Sequence, residues 1–84
     1  MYAVTWMEIA LNALADAFVA ADLPDREAIE RAVERLNRHL AADPYDVGES
    51  RTPPARIAFE KPCAISFVVD DPPGDVRVTH FWLY

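Results

Sequence analysis

Cys63-Ala64-Ile65-Ser66-Phe67-Val68-Val69-Asp70 is the stretch on which the fold turns. It is short, apolar and rich in β-branched and aromatic residues. Lys61-Pro62 precedes it and Asp71-Pro72-Pro73-Gly74 follows. Such a run between two turn signals reads as a strand. Apolar residues on both of its faces predict a central strand with a neighbour on each side. Ile65, Phe67 and Val69 make the heavier face, which should meet a core. Ala64, Ser66 and Val68 make a lighter one.

Period two continues on both sides of this strand. Arg56, Ala58 and Glu60 alternate with Ile57 and Phe59. Beyond Gly74, Val76, Val78, His80 and Trp82 alternate with Arg77, Thr79, Phe81 and Leu83. The C-terminal half is therefore expected to form a three-stranded antiparallel meander. Uninterrupted alternation predicts a core face of Ile57, Phe59, Ile65, Phe67, Val69, Val76, Val78 and Trp82. The opposite, open face is then expected to carry Arg56, Ala58, Glu60, Ala64, Ser66, Arg77, Thr79 and Phe81.

Upstream the period changes. Tyr2 to Thr5 is a short strand candidate, and Trp6 to Ala21 reads as a helix whose polar residues, Glu8, Asn12 and Asp16, recur every four positions. So little polarity predicts cover on more than one side, with part of the helix open to a partner as the other reading. Asp22-Leu-Pro-Asp25 combines a cap residue with a first-turn proline and opens a second helix, Pro24 to Ala42. Its inward residues are Ile29, Ala32, Val33, Leu36 and Leu40. Arg26, Glu30, Glu34, Arg35 and Arg38 should form a solvated face. Two helices joined by so short a corner make an antiparallel hairpin. Asp43-Pro44 ends the second helix, and residues 44–54 read as loop. The fold class is α+β: an N-terminal strand, a helical hairpin, then the meander, with the helices on one face of the sheet.

Eighty-four residues suit one domain, 1–84. Hydrophobic residues make up 52% and aromatic residues 11%, which is a folded composition and not a disordered one. Cys63 is the one cysteine and has no internal disulfide partner, so a cytoplasmic setting is expected. No secretory leader is recognisable, and charged residues interrupt the longest apolar stretch, which argues against a membrane span. The net charge is −6 and the isoelectric point about 4.6, a field that opposes free association with nucleic acid. Two histidines and one cysteine, scattered without ligand spacing, support no metal site. No glycine-rich phosphate loop is present, and no cofactor is implied.

This order of elements, with several local features, resembles the RelE/ParE superfamily of bacterial type II toxins. The likeness rests on Tyr2-Ala-Val-Thr-Trp6 running into a helix with Leu11 and Leu14. It continues in Leu36-Asn-Arg-His-Leu-Ala-Ala-Asp-Pro44 followed by Gly48, in Arg56-Ile-Ala-Phe59, in Ile65 to Asp70, and in a last strand near His80. The resemblance implies the toxin half of a toxin–antitoxin pair, bound by a cognate antitoxin whose helix and extended segment wrap it. RelE-like members are metal-independent endoribonucleases that cut messenger RNA on the ribosome. ParE-like members poison DNA gyrase instead.

RNA cleavage without a metal needs a base for the 2′-hydroxyl, an acid for the leaving oxygen, and positive charge at the phosphate. Arg56 and Arg77, on one expected face, are the candidate phosphate clamp, with Arg51 in the loop and Lys61 at a turn as further cations. Each arginine is equally able to pair with Glu60 or another surface acid. His80 and Tyr84 are the candidates for proton transfer. The alternation groups His80 with Val78 and Trp82, which favours a structural histidine, and Tyr84 also suits a core contact or a homodimer anchor. His39 sits beside Arg38 in the second helix and carries less. Two departures favour a non-catalytic protein-binding module of the same fold, directed at gyrase or without toxicity: the acidic charge, and Ala64 where active ribonucleases of this type often have arginine.

Overall fold

Trp6 closes a strand rather than opening a helix. The computed structural model describes residues 1–50 and 53–84, and Arg51 lies outside them. Strand β1 (Ala3–Trp6) passes through Met7 into helix α1 (Glu8–Ala20), and a corner at residues 21–22 leads to helix α2 (Leu23–Ala42). Asp22 caps α2: its carboxylate accepts from the Asp25 amide at 3.1 Å, with Pro24 in the first turn. Asp43 repeats the device one step on. It accepts from the Tyr45 amide at 3.1 Å and starts a short 3-10 turn, Pro44–Asp46. Strands β2 (Glu49–Ser50), β3 (Ala55–Glu60), β4 (Cys63–Asp70) and β5 (Asp75–Leu83) complete the order. The 3-10 turn and β2 occupy ground that the sequence reads as loop.

Among the described residues the sheet order is β1-β5-β4-β3-β2. The expected meander is present, with β4 central to it. Strand β1 lies parallel beside β5, with Ala3 opposite Asp75 and Trp6 opposite Val78. The helices cover one face. Ala10, Ile29, Ala32, Leu36 and Leu40 meet Ala58, Cys63, Ile65, Phe67, Val76, Val78 and Phe81 in one buried cluster. This is the α+β architecture expected from the sequence, and burying each large side chain in it stabilises the fold by roughly 1.5–3 kcal/mol.

Two facings differ from the expectation. Strand β3 is inverted: Arg56, Ala58 and Glu60 pair across β4 with Phe67, Ile65 and Cys63, which puts them on the helix side. Ala58 is fully buried, whereas Phe59 is 52% exposed. The inversion holds because both long polar side chains find partners at the rim of the core. The Arg56 guanidinium donates to the carbonyls of Tyr45 at 3.1 Å and Gly48 at 3.4 Å, and Glu60 meets Arg35 of α2. Both contacts of Arg56 are made by Nη2, and its buried Nε has no hydrogen-bond partner among the described residues.

Strand β5 changes phase part-way. Val78 stands opposite Phe67, but His80, not Thr79, stands opposite Ser66. Thr79 is the extra residue of a β-bulge, and one extra residue sends every later side chain to the other face. Phe81 therefore enters the core, while His80 and Trp82 turn outward.

Helix α1 is covered on one side only. Ala10 is buried, and Ala13, Leu14, Ala17 and Phe18 pack against the core. Ile9, Leu11 and Val19 stay exposed. Arg26, expected on a solvated face, instead closes the helical corner. Its Nε donates to the Phe18 carbonyl at 2.8 Å and its Nη2 to the Val19 carbonyl at 3.2 Å. Both carbonyls lie in the last turn of α1, where that of Phe18 also accepts from the Ala21 amide at 3.3 Å, and the guanidinium lies 5.4 Å from the Phe18 ring centre. Ahead of α1, the Trp6 indole donates to Asn37 Oδ1 at 2.8 Å and ties the end of β1 to α2.

Candidate functional site

Two surfaces on opposite sides of the molecule carry features that its own folding leaves unused. The first is a groove between α1 and α2. Leu11, Leu14, Ala15, Phe18 and Val19 form one wall, Ile29 and Val33 the floor and far side, and Glu30, Glu34 and Asn37 the rim, around about 590 Å³. The lining is almost wholly apolar, and the exposed Ile9 and Leu23 lie on the same helices beyond it, with Met7 just before α1. Helices that met along their whole length would have closed this space. Here the alanine-rich face of α1 lies down on β5, and the larger side chains on its other flank are left facing the gap.

The second surface is the open face of the sheet. Because cross-strand partners share a face, the pairings define rows. Phe59, Ala64 and Trp82 make the first, and Ile57, Ser66 and His80 the second, joined by Thr79 at the bulge. Ala55, Val68 and Arg77 make the third, and Asp70 opposite Asp75 the fourth. The face thus grades from aromatic through hydroxyl and imidazole to a charged pair. Ala64 is fully buried although it points outward, because large rings flank it in its row. The Arg77 guanidinium is hydrogen-bonded to the Asp70 carboxylate. Thr79 Oγ1 lies 3.1 Å from both the carbonyl and the hydroxyl of Ser66, and His80 Nδ1 lies 3.2 Å from Thr79 Oγ1.

The structure separates the four residues singled out from the sequence. Arg56 and Arg77 lie on opposite faces, so the expected two-arginine clamp does not form. Arg56 instead holds the Tyr45–Gly48 loop. His80 leaves the core side, where alternation put it, for the open face beside Arg77, with the two rows roughly 7 Å apart along β4. Tyr84 sits at the end of the sheet, its ring edge-on to Phe59 with centres 5.2 Å apart. It is four residues from His80, roughly 13 Å along a strand, so the two do not form an acid–base couple. Thr79 and Ser66 were not candidates as a pair, since only the bulge brings the Thr79 hydroxyl between Ser66 and His80. A threonine beside a histidine in a β-rich segment is too common to have marked it. His39 lines a separate recess with Asp43, Asp46 and Gly48. No group of three potential ligands able to hold a metal occurs among the described residues, nor any helix long and apolar enough to cross a membrane.

A helical hairpin on one face of a sheet ordered β1-β5-β4-β3-β2, with β5 between β1 and β4, is the fold expected from the resemblance to RelE/ParE-like proteins. The comparison with solved structures agrees. A chain of the chromosomal ParDE toxin–antitoxin system from P. aeruginosa superposes with a TM-score of 0.77 at 16% identity, over 99% of this chain and 96% of that one. A chain of the toxin–antitoxin complex RelBE2 from Mycobacterium tuberculosis also gives 0.77, at 21% identity, over 99% of this chain and 98% of the other. No protein-family model matches the sequence, and no curated protein does.

Proposed function

We propose that the chain is the toxin-like component of a bacterial type II toxin–antitoxin system, with residues 1–84 acting as one domain in the cytoplasm. Its helical groove takes an apolar segment of the antitoxin. The observation that carries this reading is the groove itself: about 590 Å³ of apolar concavity on a fold whose solved neighbours come from toxin–antitoxin complexes. Glu30 and Glu34 on the rim have no ion-pair partner among the described residues, which favours an occupant that flanks its apolar anchors with Lys or Arg. The test is co-purification with the product of the adjacent reading frame. Leu11→Glu and Val19→Glu replace exposed groove residues and should abolish the complex while leaving the circular dichroism spectrum unchanged. An undiminished complex would overturn the assignment.

A second reading concerns the target, and one observation favours it: the bulge delivers His80 to the open face one row from Arg77. In this reading the open face cleaves messenger RNA without a metal. The 2′-hydroxyl proton passes to the imidazole, the O2′–P bond forms and the P–O5′ bond breaks. The products are a 2′,3′-cyclic phosphate and a 5′-oxygen that takes a proton from water, the imidazolium returning its own to the hydroxide so made. Arg77 would hold the phosphate, at the cost of loosening its tie to Asp70. Induced expression of wild type and of Arg77→Ala/His80→Ala separates this reading from a protein target such as gyrase. Transcripts cut by wild type alone support it, and intact transcripts with undiminished toxicity in both would transfer the role to a protein contact.

A further inference from the structure

The hydroxyl of Thr79 has one proton and three neighbours: the Ser66 carbonyl at 3.1 Å, the Ser66 hydroxyl at 3.1 Å, and His80 Nδ1 at 3.2 Å. A carbonyl oxygen only accepts, so that contact is a hydrogen bond only if Thr79 gives it the proton. Oγ1 is then left with lone pairs alone for its other two neighbours. Ser66 Oγ–H must donate to it, and so must His80 Nδ1–H. If the Thr79 proton is instead shared between the carbonyl and the hydroxyl of Ser66, His80 Nδ1 is still the donor in its own contact.

We propose that Thr79 is a positioning residue that holds neutral His80 as the Nδ1–H tautomer and turns a bare Nε2 lone pair toward the open face. There it acts as proton acceptor for a ribose 2′-hydroxyl of single-stranded RNA. The free imidazole prefers the opposite tautomer, in which Nε2 carries the proton and cannot take another, so the arrangement changes what the side chain can do. The bulge is what makes it possible. In an unbroken ladder neighbouring side chains project to opposite faces, whereas here Thr79 and His80 project to the same one. Ser66, opposite His80, locks the hydroxyl from behind. The inference rests on the ribonuclease reading for its substrate, but not for the tautomer.

The test has two arms. Long-range ¹H–¹⁵N spectra of uniformly labelled protein, recorded above the imidazole's titration, report which nitrogen of His80 carries the proton, with His39→Gln used to assign the signals. Wild type and Thr79→Ser should show Nδ1–H, and Thr79→Val, which keeps the shape and removes the hydroxyl, should shift the population to Nε2–H. In a ribosome-containing translation mixture, initial cleavage of a reporter messenger RNA should fall roughly tenfold in Thr79→Val and roughly a hundredfold or more in His80→Gln, with Thr79→Ser near wild type. An Nε2–H tautomer in wild type, or a spectrum unmoved by Thr79→Val, overturns the proposal. Absence of cleavage by wild type overturns its ribonuclease half and leaves the tautomer to be decided by the spectra.

Discussion

Arg35 Nε lies 3.3 Å from Glu60 Oε2, joining α2 to β3 across the margin of the core. This contact shows which way β3 faces, since a Glu60 on the open side could not reach the helix. Both side chains are partly exposed, so the pair itself should be worth little. Glu60→Gln is expected to lower stability by about 0.5 kcal/mol, and the difference should vanish in high salt. Denaturant titrations at two ionic strengths measure both.

The phase change at Thr79 makes neighbouring residues on β5 respond very differently. Phe81→Ala removes a ring that is 6% exposed and should cost about 3–5 kcal/mol. His80→Ala should change stability by less than about 0.5 kcal/mol. Urea midpoints for the two variants decide between the bulged strand and an unbroken one, in which the order would be reversed.

Gly48 takes φ +71, and a Cβ there would run into the backbone carbonyl of Ile57. Backbone cannot swing aside as a side-chain tip can. Gly48→Ala combines this clash with a left-handed conformation, at an expected cost on the order of 1–3 kcal/mol. The melting temperature should fall by more than about 5 °C. The same change should loosen the carbonyls that hold Arg56, visible as faster amide exchange through residues 45–48.

The Cys63 thiol is buried, and burial, helped by the nearby charge of Glu60, pushes its pKa from 9.0 to about 11. A folded chain therefore holds this proton longer than an unfolded one. The stability contribution is complete below about pH 9 and declines as pH rises toward 11. Tyr2 adds to the same slope at still higher pH, since its hydroxyl donates to Asp71 at 2.8 Å and its pKa is pushed up to about 12. Denaturant midpoints should be flat from pH 7 to 9 and fall beyond. Native protein at pH 8 should resist alkylation of Cys63 until it unfolds.

The sequence carried the order of elements, the strand character of Cys63 to Asp70, and the Asp22 cap, because each is written in local composition and period. It did not carry the facing of β3 or the late part of β5. Period two tells which residues share a face but not which face is inside. On β3 the larger apolar pair, Ile57 and Phe59, pointed to the wrong answer, because Arg56 is tied to the Tyr45 and Gly48 carbonyls of the preceding loop and Glu60 to Arg35 of α2. On β5 a single unpaired residue, Thr79, shifted the phase, and no glycine marked it. The site depended on both facings. Arg56 was lost from it through the first, and His80 was gained through the second.

The parallel contact between β1 and β5 joins residues 3–6 to residues 75–78. During synthesis the first strand therefore emerges with no partner, and α1 has no seat until β5 has been made, because it lies on that strand. A chain cut before residue 75 keeps β3 and β4 for α2 to cover but lacks the strand on which both α1 and β1 rest.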